Sequence, residues 1–177
     1  TWTQTVEADG PAGSGFTKSL KTECTTANAS PGASELVIIQ QNFEGLDLQG
    51  IKKGTSEAES LTVSFWVKSN YTSPFIVELN DSDNSRFISA SVSISSSGVW
   101  EKKTITFNGD TSGVLDNDKA TSIQLNFWLT AGSTYSGGTL NSSWGTAVDG
   151  RAAGVGASRG ETSILFDAAA SSGATRL

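Results

Sequence analysis

Short stretches in which every second residue is apolar recur through the middle of this chain, with polar residues between. Four stretches alternate in this way, at 61–68, 75–80, 88–94 and 123–129. In a fifth, at 100–107, Ile105 and Phe107 follow Trp100, and a sixth, at 36–39, is apolar at every position. A period of two is the pattern of a strand with one buried face, and a short fully apolar run fits a central strand. Polar or glycine-bearing turns separate the stretches, and no helical spacers lie between them. The sequence therefore predicts an all-β domain, with antiparallel strands closed into a sandwich or a barrel.

Two of these stretches share a local pattern that predicts which way their aromatic residues point. In the alternating pattern, Phe65 and Phe127 occupy the same face of their strands as the aliphatic residues. Trp66 and Trp128 occupy the same face as the polar residues. We therefore expect the two phenylalanines to face one shared interior and the two tryptophans to face outward. An outward indole is a large apolar surface that needs a cover.

Three kinds of cover for the tryptophans remain open at this point. The indoles can stack on sugar rings, with the amides of Gln124 and Asn126 beside Trp128 suited to sugar hydroxyls. They can lie under a neighbouring subunit, or under a loop of the same chain. The candidate carbohydrate or subunit contacts are Trp66, Gln124, Asn126 and Trp128.

Residues for catalysis are scarce in this chain. The sequence contains no histidine, which excludes Ser-His-Asp and Cys-His sites and histidine-ligated metals. Two carboxylates are sufficient for glycoside cleavage, and the available pairs are Glu44 with Asp47 and Glu57 with Glu59. Both pairs lie in polar, turn-like sequence where carboxylates are usually only solvated. We therefore expect a protein that is not an enzyme.

Aspartates in two predicted turns are candidate ligands for a structural calcium ion. Calcium prefers oxygen ligands, and the clusters supply them; the candidates are Asp81, Asp83, Asp116 and Asp118. Neither cluster fits a twelve-residue EF-hand loop, because the closing glutamate is absent, and aspartate is also an ordinary turn former. No other cofactor is expected.

The charge of the chain bears on its partners. The net charge is −6 with a pI near 4.6, and the lysine pairs 52–53 and 102–103 are isolated. A nucleic-acid-binding surface needs a basic stripe, so we expect no nucleic-acid partner. No apolar run approaches the ~20 residues that span a bilayer, so no membrane insertion is expected. The single cysteine, Cys24, is expected to be a small buried residue on an early strand.

The last third of the chain differs from the middle. Residues 132–160 are rich in Gly, Ser, Ala and Thr, residues 162–166 have the composition of a final strand, and residues 168–177 resemble a tail or linker. We divide the chain into a sandwich at 1–160 and a final strand with a tail or linker at 161–177. Because the chain contains no methionine, we also expect it to be a processed product or a segment of a longer polypeptide.

Several short motifs follow one another along the chain. They are CTTA at 24–27, QNFEG at 41–45, LQGIKKGT at 48–55, LTVSFWVKS at 61–69, WEKKTITF at 100–107, IQLNFWL at 123–129, and Trp144. Together these motifs resemble a jelly-roll domain found in structural proteins of marine bacteriophages. The resemblance covers roughly residues 17–150, and the domain is also similar to carbohydrate-binding modules of the galactose-binding-like type. The closing strand usual in that family, an aromatic residue followed by a Val-Gln-Leu-Glu-like stretch, is missing, and residues 164–166 stand in its place.

The resemblance implies an antiparallel jelly-roll β-sandwich on the virion surface, as part of a tail fibre, a head fibre or a capsid decoration protein. It implies other virion proteins as partners, a homo-oligomer that in fibres is often a trimer, and host glycans as candidate ligands. No sugar-binding residues transfer, because no ligand motif matches. The alternative is a carbohydrate-binding module of a secreted or surface glycan-active protein.

Overall fold

The strands follow one another with few helices between them. A computed structural model of the chain describes residues 1–155 and 163–167. Within these residues the strands are β1 (Trp2–Glu7), β2 (Ser19–Cys24), β3 (Leu36–Glu44), β4 (Leu61–Ser69), β5 (Phe75–Asp81), β6 (Arg86–Val92), β7 (Glu101–Phe107), β8 (Thr121–Ala131) and β9 (Ser163–Asp167). A 3₁₀ helix spans Gly45–Ile51, and the short helix α1 spans Ser133–Ser136. Neither is long and apolar enough to cross a membrane.

The strands form two sheets in which every described pairing is antiparallel. The first sheet has the order β1-β2-β9-β4-β7, and the second has the order β3-β8-β5-β6. The apolar faces of the two sheets meet, as two half-buried sheets must if both are to remove those faces from water. The predicted antiparallel jelly-roll β-sandwich is confirmed.

The shared interior predicted from the aromatic pattern is also present. Phe65 of β4 and Phe127 of β8 meet edge to face, with ring centroids 5.0 Å apart and an interplanar angle of 83°. Because β4 belongs to the first sheet and β8 to the second, this contact joins the two layers at the centre of the core. Phe75 of β5 adds a second edge contact to Phe65 at 6.2 Å.

The beginning of the chain is more regular than its sequence suggests. The sequence places only Cys24 on an early strand, and it is buried on β2 as expected. The strand β1 has no such signal, because Trp2–Glu7 carries polar residues on both faces and lies at the edge of its sheet. Between β3 and β4 the chain forms the 3₁₀ helix Gly45–Ile51.

The final strand expected at 162–166 is present as β9, Ser163–Asp167. It lies inside the first sheet, hydrogen-bonded to β2 on one side and to β4 on the other. The tail or linker expected at 168–177 lies outside the described residues.

The outer face of the second sheet is covered by residues 132–155, which run from the end of β8. Ala152 and Val155 of this segment form a second small apolar cluster with Ile76 and Trp128 of the sheet. Arg151 donates two hydrogen bonds to the buried Glu78 of β5, and its guanidinium lies 4.2 Å from the ring centre of Phe87. The second sheet is therefore enclosed on both faces where this segment crosses it.

Candidate binding face

The outer face of the first sheet carries an open, mostly polar surface around one tryptophan. On β4 the outward residues are Thr62, Ser64, Trp66 and Lys68, and on β7 they are Lys102, Thr104 and Thr106. We call this surface the Trp66 face. Residues between them, such as Val67 and Phe65, point into the core. On β7 the register partner of Trp66 is Lys102, and on β9 it is Asp167.

A second tryptophan is attached to the Trp66 face through a carboxylate. The indole Nε1 of Trp100 donates to Asp9 Oδ1 at 3.1 Å, and Lys68 Nζ donates to Asp9 Oδ2 at 2.7 Å. Lys68 follows Trp66 by two residues on β4 and therefore lies on the same side of the sheet. These contacts hold Trp100 at the end of the Trp66 face.

The same contacts set the charge of Asp9. Hydrogen bonds from Lys68 and from the Trp100 indole lower the pKa of the Asp9 carboxyl, and together they outweigh the opposing effect of burial. Asp9 therefore remains ionised in mildly acidic solution and serves as the counter-ion of Lys68.

The two indoles are diagonal neighbours on adjacent strands. Lys102 lies opposite Trp66, and Trp100 precedes Lys102 by two residues. A diagonal pair of this kind is separated by ≈ 7–8 Å, within reach of large aromatic side chains. Both tryptophans are partly exposed. The arrangement places two partly exposed indoles on one side of the first sheet, and Asp9 links the Trp100 indole to Lys68 of β4.

Hydroxyl groups occupy the other end of the Trp66 face. Thr62 and Thr106 are opposite each other, and their Oγ1 atoms are 2.9 Å apart. Ser64 and Thr104 form the next row toward Trp66. The face thus combines aromatic stacking surface with hydroxyl donors and acceptors on a rigid sheet.

Trp128 and Asn126 are not available as contact residues, contrary to the sequence prediction. Trp128 does lie on the outer side of the second sheet, but it is only 1% exposed because residues 132–155 lie over it. Its ring is 5.2 Å from that of Tyr135. Asn126 is equally buried, and its Nδ2 donates to Glu78 Oε1 at 2.8 Å. A loop of the same chain, one of the three covers considered, is the one found at Trp128.

Gln124 remains partly exposed on the outer side of the second sheet, where its Oε1 accepts a hydrogen bond from Asn80 Nδ2 at 2.6 Å. Because Trp66 is on the outer side of the first sheet, the four predicted contact residues do not form one site. Trp66 and Gln124 are the members of the set that remain partly exposed, on opposite outer sides of the sandwich.

The predicted calcium ligands are only partly brought together. The two turns do meet, since the Asp116 backbone N–H donates to Asp83 Oδ2 at 2.9 Å. Asp81, however, faces the buried ammonium of Lys53 at 2.5 Å, and Asp118 accepts the backbone N–H of Ala120. Within residues 1–155 and 163–167 no group of three or more Asp, Glu, Cys or His side chains has the spacing of a metal site. Lys53 supplies the positive charge at Asp81, and calcium binding by the other three stays a prediction.

Lys53 is the residue that the aspartate pattern alone did not reveal. Lys53 is 28 residues from Asp81 in sequence. Its Nζ also lies 3.1 Å from Asp110 Oδ2, and Asp110 forms a second ion pair with Arg86. The Lys53 ammonium also donates hydrogen bonds to the carbonyl oxygens of Ser112 and Gly113. This buried ion cluster fixes the turns at one end of the sandwich to one another.

Sequence reasoning also missed Trp100 and Asp9 as members of the Trp66 face. The sequence did contain a signal for Trp100. One face of a regular strand would carry Trp100, Lys102, Thr104 and Thr106, and the opposite face would carry the apolar Ile105 and Phe107. No local pattern marks Asp9, whose partner Trp100 is 91 residues away.

Comparison with known proteins adds distant structural neighbours. No family model matches the chain, and no curated protein matches it either. One similar solved structure is the enzymatically active domain of bacteriophage CBA120 tailspike protein 4, with a TM-score of 0.49, 12% identity, and coverage of 93% of this chain and 17% of that one. Another, described as CBM4, has a TM-score of 0.45, 14% identity, and coverage of 94% of this chain and 89% of that one. This chain therefore spans only about a sixth of the length of the tailspike chain. With TM-scores below 0.5, the choice of the Trp66 face depends on the geometry described above.

Proposed function

We propose that this chain is a non-catalytic module of a virion surface protein, a fibre or a capsid decoration protein, which binds glycans through the Trp66 face. The observation that carries the proposal is the placement of two partly exposed tryptophans, Trp66 and Trp100, on one side of the first sheet, with Asp9 bonded to both Trp100 and Lys68. Binding faces combine apolar contact area with a few fixed polar groups, and this face has both.

Sugars suit such a surface. A pyranose ring has an apolar C–H face that can lie flat on an indole and polar hydroxyls at its rim. Two neighbouring indoles can take two successive sugar units, while Ser64, Thr104 and the Thr62–Thr106 pair offer hydroxyl partners. An open face fits an extended chain better than a single small molecule.

Two features support a role without catalysis. The chain has no histidine. The carboxylate that contacts the Trp100 indole is Asp9, and it is already engaged by Lys68 and Trp100. A glycosidase needs two carboxyl groups on opposite sides of the scissile bond.

The virion assignment is supported by the motifs that resemble phage structural proteins. Two of those motifs, 61–69 and 100–107, are the strands β4 and β7 that build the Trp66 face together with Trp100. In a fibre the module would be one of several copies on the virion surface, with other virion proteins as partners. Several copies would multiply a weak single-site affinity.

The alternative is the same face on a carbohydrate-binding module of a secreted or surface glycan-active protein. Antibodies raised against the chain distinguish the two, since they label intact particles only if the chain belongs to the virion.

A glycan array tests the binding proposal. We expect the chain to bind a defined glycan class, Trp66→Ala and Trp100→Ala to lose most of the signal, and Trp66→Phe to retain part of it because a flat ring remains. Leu46→Ala removes an exposed apolar side chain from the 3₁₀ helix and serves as the control. Circular dichroism confirms that each variant is folded.

Two results would overturn the proposal. One is the absence of binding to any glycan by the wild-type chain. The other is dissociation of a wild-type oligomer by Trp66→Ala with unchanged glycan binding, which would make the face a subunit contact.

A further inference from the structure

We infer that the glycan on the Trp66 face is anionic, and that Lys102 pairs with its carboxylate or sulfate group while a sugar ring stacks on Trp66. This inference rests on the proposed glycan-binding function and specifies the class of glycan. It starts from the charges on the outer side of the first sheet.

Lys102 is placed directly beside the stacking surface. It is the register partner of Trp66 across the β4–β7 pair, and it is exposed on the same side of the sheet. Side chains of directly opposite residues have Cβ atoms ≈ 4.5–5.5 Å apart. An acidic substituent at the rim of a sugar stacked on Trp66 therefore falls within reach of the Lys102 ammonium.

Lys102 differs from the other lysines on this side of the sheet. Lys68 is paired with Asp9 at 2.7 Å, and Lys21 is paired with Glu23 at 2.9 Å. Within residues 1–155, Lys102 has no ion-pair partner within 4.0 Å. Its charge is therefore free to meet a ligand.

The surroundings of Lys102 favour an anion as that ligand. The outward residues of β4 and β7 comprise hydroxyl side chains, Trp66, Lys68 and Lys102, and they include no carboxylate. Asp167 of β9 occupies the register position on the other side of Trp66 from Lys102. A lysine beside a stacking surface can form a charge-assisted hydrogen bond with an acidic group of the ligand, and such a bond is roughly twice as strong as a neutral one.

Matched pairs of glycans test the inference. Polygalacturonate oligomers are compared with their methyl esters, and carrageenan oligomers are compared with the same oligomers after desulfation, so that each pair differs mainly in charge and the two pairs separate carboxylate from sulfate. Binding is measured by calorimetry at low and moderate salt with the wild-type chain, Lys102→Gln, Lys102→Arg and Lys119→Gln. Lys119 is an exposed lysine of the β7–β8 loop and controls for the change in net charge.

We expect at least one acidic oligomer to bind more tightly than its neutral partner, with an affinity that falls as salt rises. Lys102→Gln should weaken that binding about tenfold, as the loss of one charge-assisted contact implies. Lys102→Arg should retain most of the affinity, and Lys119→Gln should match the wild type.

The outcomes separate this inference from the function it rests on. If neutral and acidic partners bind equally, or if Lys102→Gln and Lys119→Gln have the same effect, the anionic class is wrong while glycan binding stands. If no oligomer binds and the glycan array is also blank, both proposals fail.

Discussion

Arg151 holds Glu78 with two hydrogen bonds, from Nε to Oε2 at 2.8 Å and from Nη2 to Oε1 at 2.9 Å. Glu78 is fully buried on β5, and Arg151 belongs to the segment 132–155 that covers the second sheet. The two residues are 73 positions apart in sequence, so this pair ties a segment with few large apolar residues to the outer side of the second sheet.

Arg151→Met should destabilise the protein by about 3–5 kcal/mol, because it leaves the buried Glu78 carboxylate without its charged partner. The double variant Glu78→Leu with Arg151→Met should recover much of that loss, since neither charge is then buried. Urea denaturation measures both free energies of unfolding. A single Arg151→Met variant as stable as the wild type would show that the pair does not hold the segment.

Trp128→Ala should cost about 3–5 kcal/mol of stability, as expected for the loss of a fully buried tryptophan. Trp66→Ala should cost clearly less, because Trp66 is already partly exposed. Thermal and urea unfolding of the two variants, compared under the same conditions, check the order. The reverse order would mean that Trp66 rather than Trp128 is the covered indole.

Gly45→Ala should destabilise the protein by about 1–3 kcal/mol through a steric clash. A Cβ at Gly45 would lie 1.8 Å from the Asp116 carbonyl oxygen, so the β7–β8 loop would have to move. Gly50 lies in the same 3₁₀ helix, and a Cβ added there would meet nothing within 4 Å, so Gly50→Ala should be neutral or stabilising by up to about 1 kcal/mol. Chemical denaturation of both variants tests this, and equal effects would argue against the close approach of the loop.

Glu101 should contribute a pH-dependent share of stability. Burial raises the pKa of its carboxyl, but hydrogen bonds from Lys103 and from the backbone N–H groups of Ser95 and Ser96 outweigh that effect and lower the pKa from 4.5 to about 2. Because the folded pKa lies below the unfolded one, the stabilisation is fully present above pH 4.5 and is lost as the pH falls toward about 2. Glu101→Gln should therefore be less stable than the wild type at neutral pH and approach it in acid.

Unfolding measured at several pH values, with an NMR titration of the Glu101 carboxyl carbon, tests this prediction. A Glu101 pKa near its ordinary value, or a difference between the wild type and Glu101→Gln that does not shrink in acid, would contradict it.

The central strands were predictable because each one carries its own signal. Alternating apolar residues mark β4, β5, β6 and β8, and the same alternation placed Phe65 and Phe127 in one interior. In β7 the signal is confined to Ile105 and Phe107. The strand β1 was not predictable, because its residues are mostly polar and its pairing with β2 determines its conformation.

The candidate site was less predictable, because its geometry depends on contacts between residues distant in sequence. Alternation correctly placed Trp66 and Trp128 on outer sides of the sheets, but it cannot show that residues 132–155 return to cover Trp128. That segment is rich in small residues and has no period. Similarly, Asp81 in a polar turn resembles a calcium ligand until Lys53, from another part of the chain, is found against it.

The position of β9 has a consequence for how the chain is made. Because β9 pairs with β2 and with β4, the hairpin of β1 and β2 is separated from the rest of its sheet until residues 163–167 arrive. During synthesis, β1 and β2 leave the ribosome well before β9 does. The first sheet therefore cannot be completed until β9 has been made. Nascent chains released before residue 163 would lack the strand that joins these two parts, so the whole described length must emerge before the native sandwich can form.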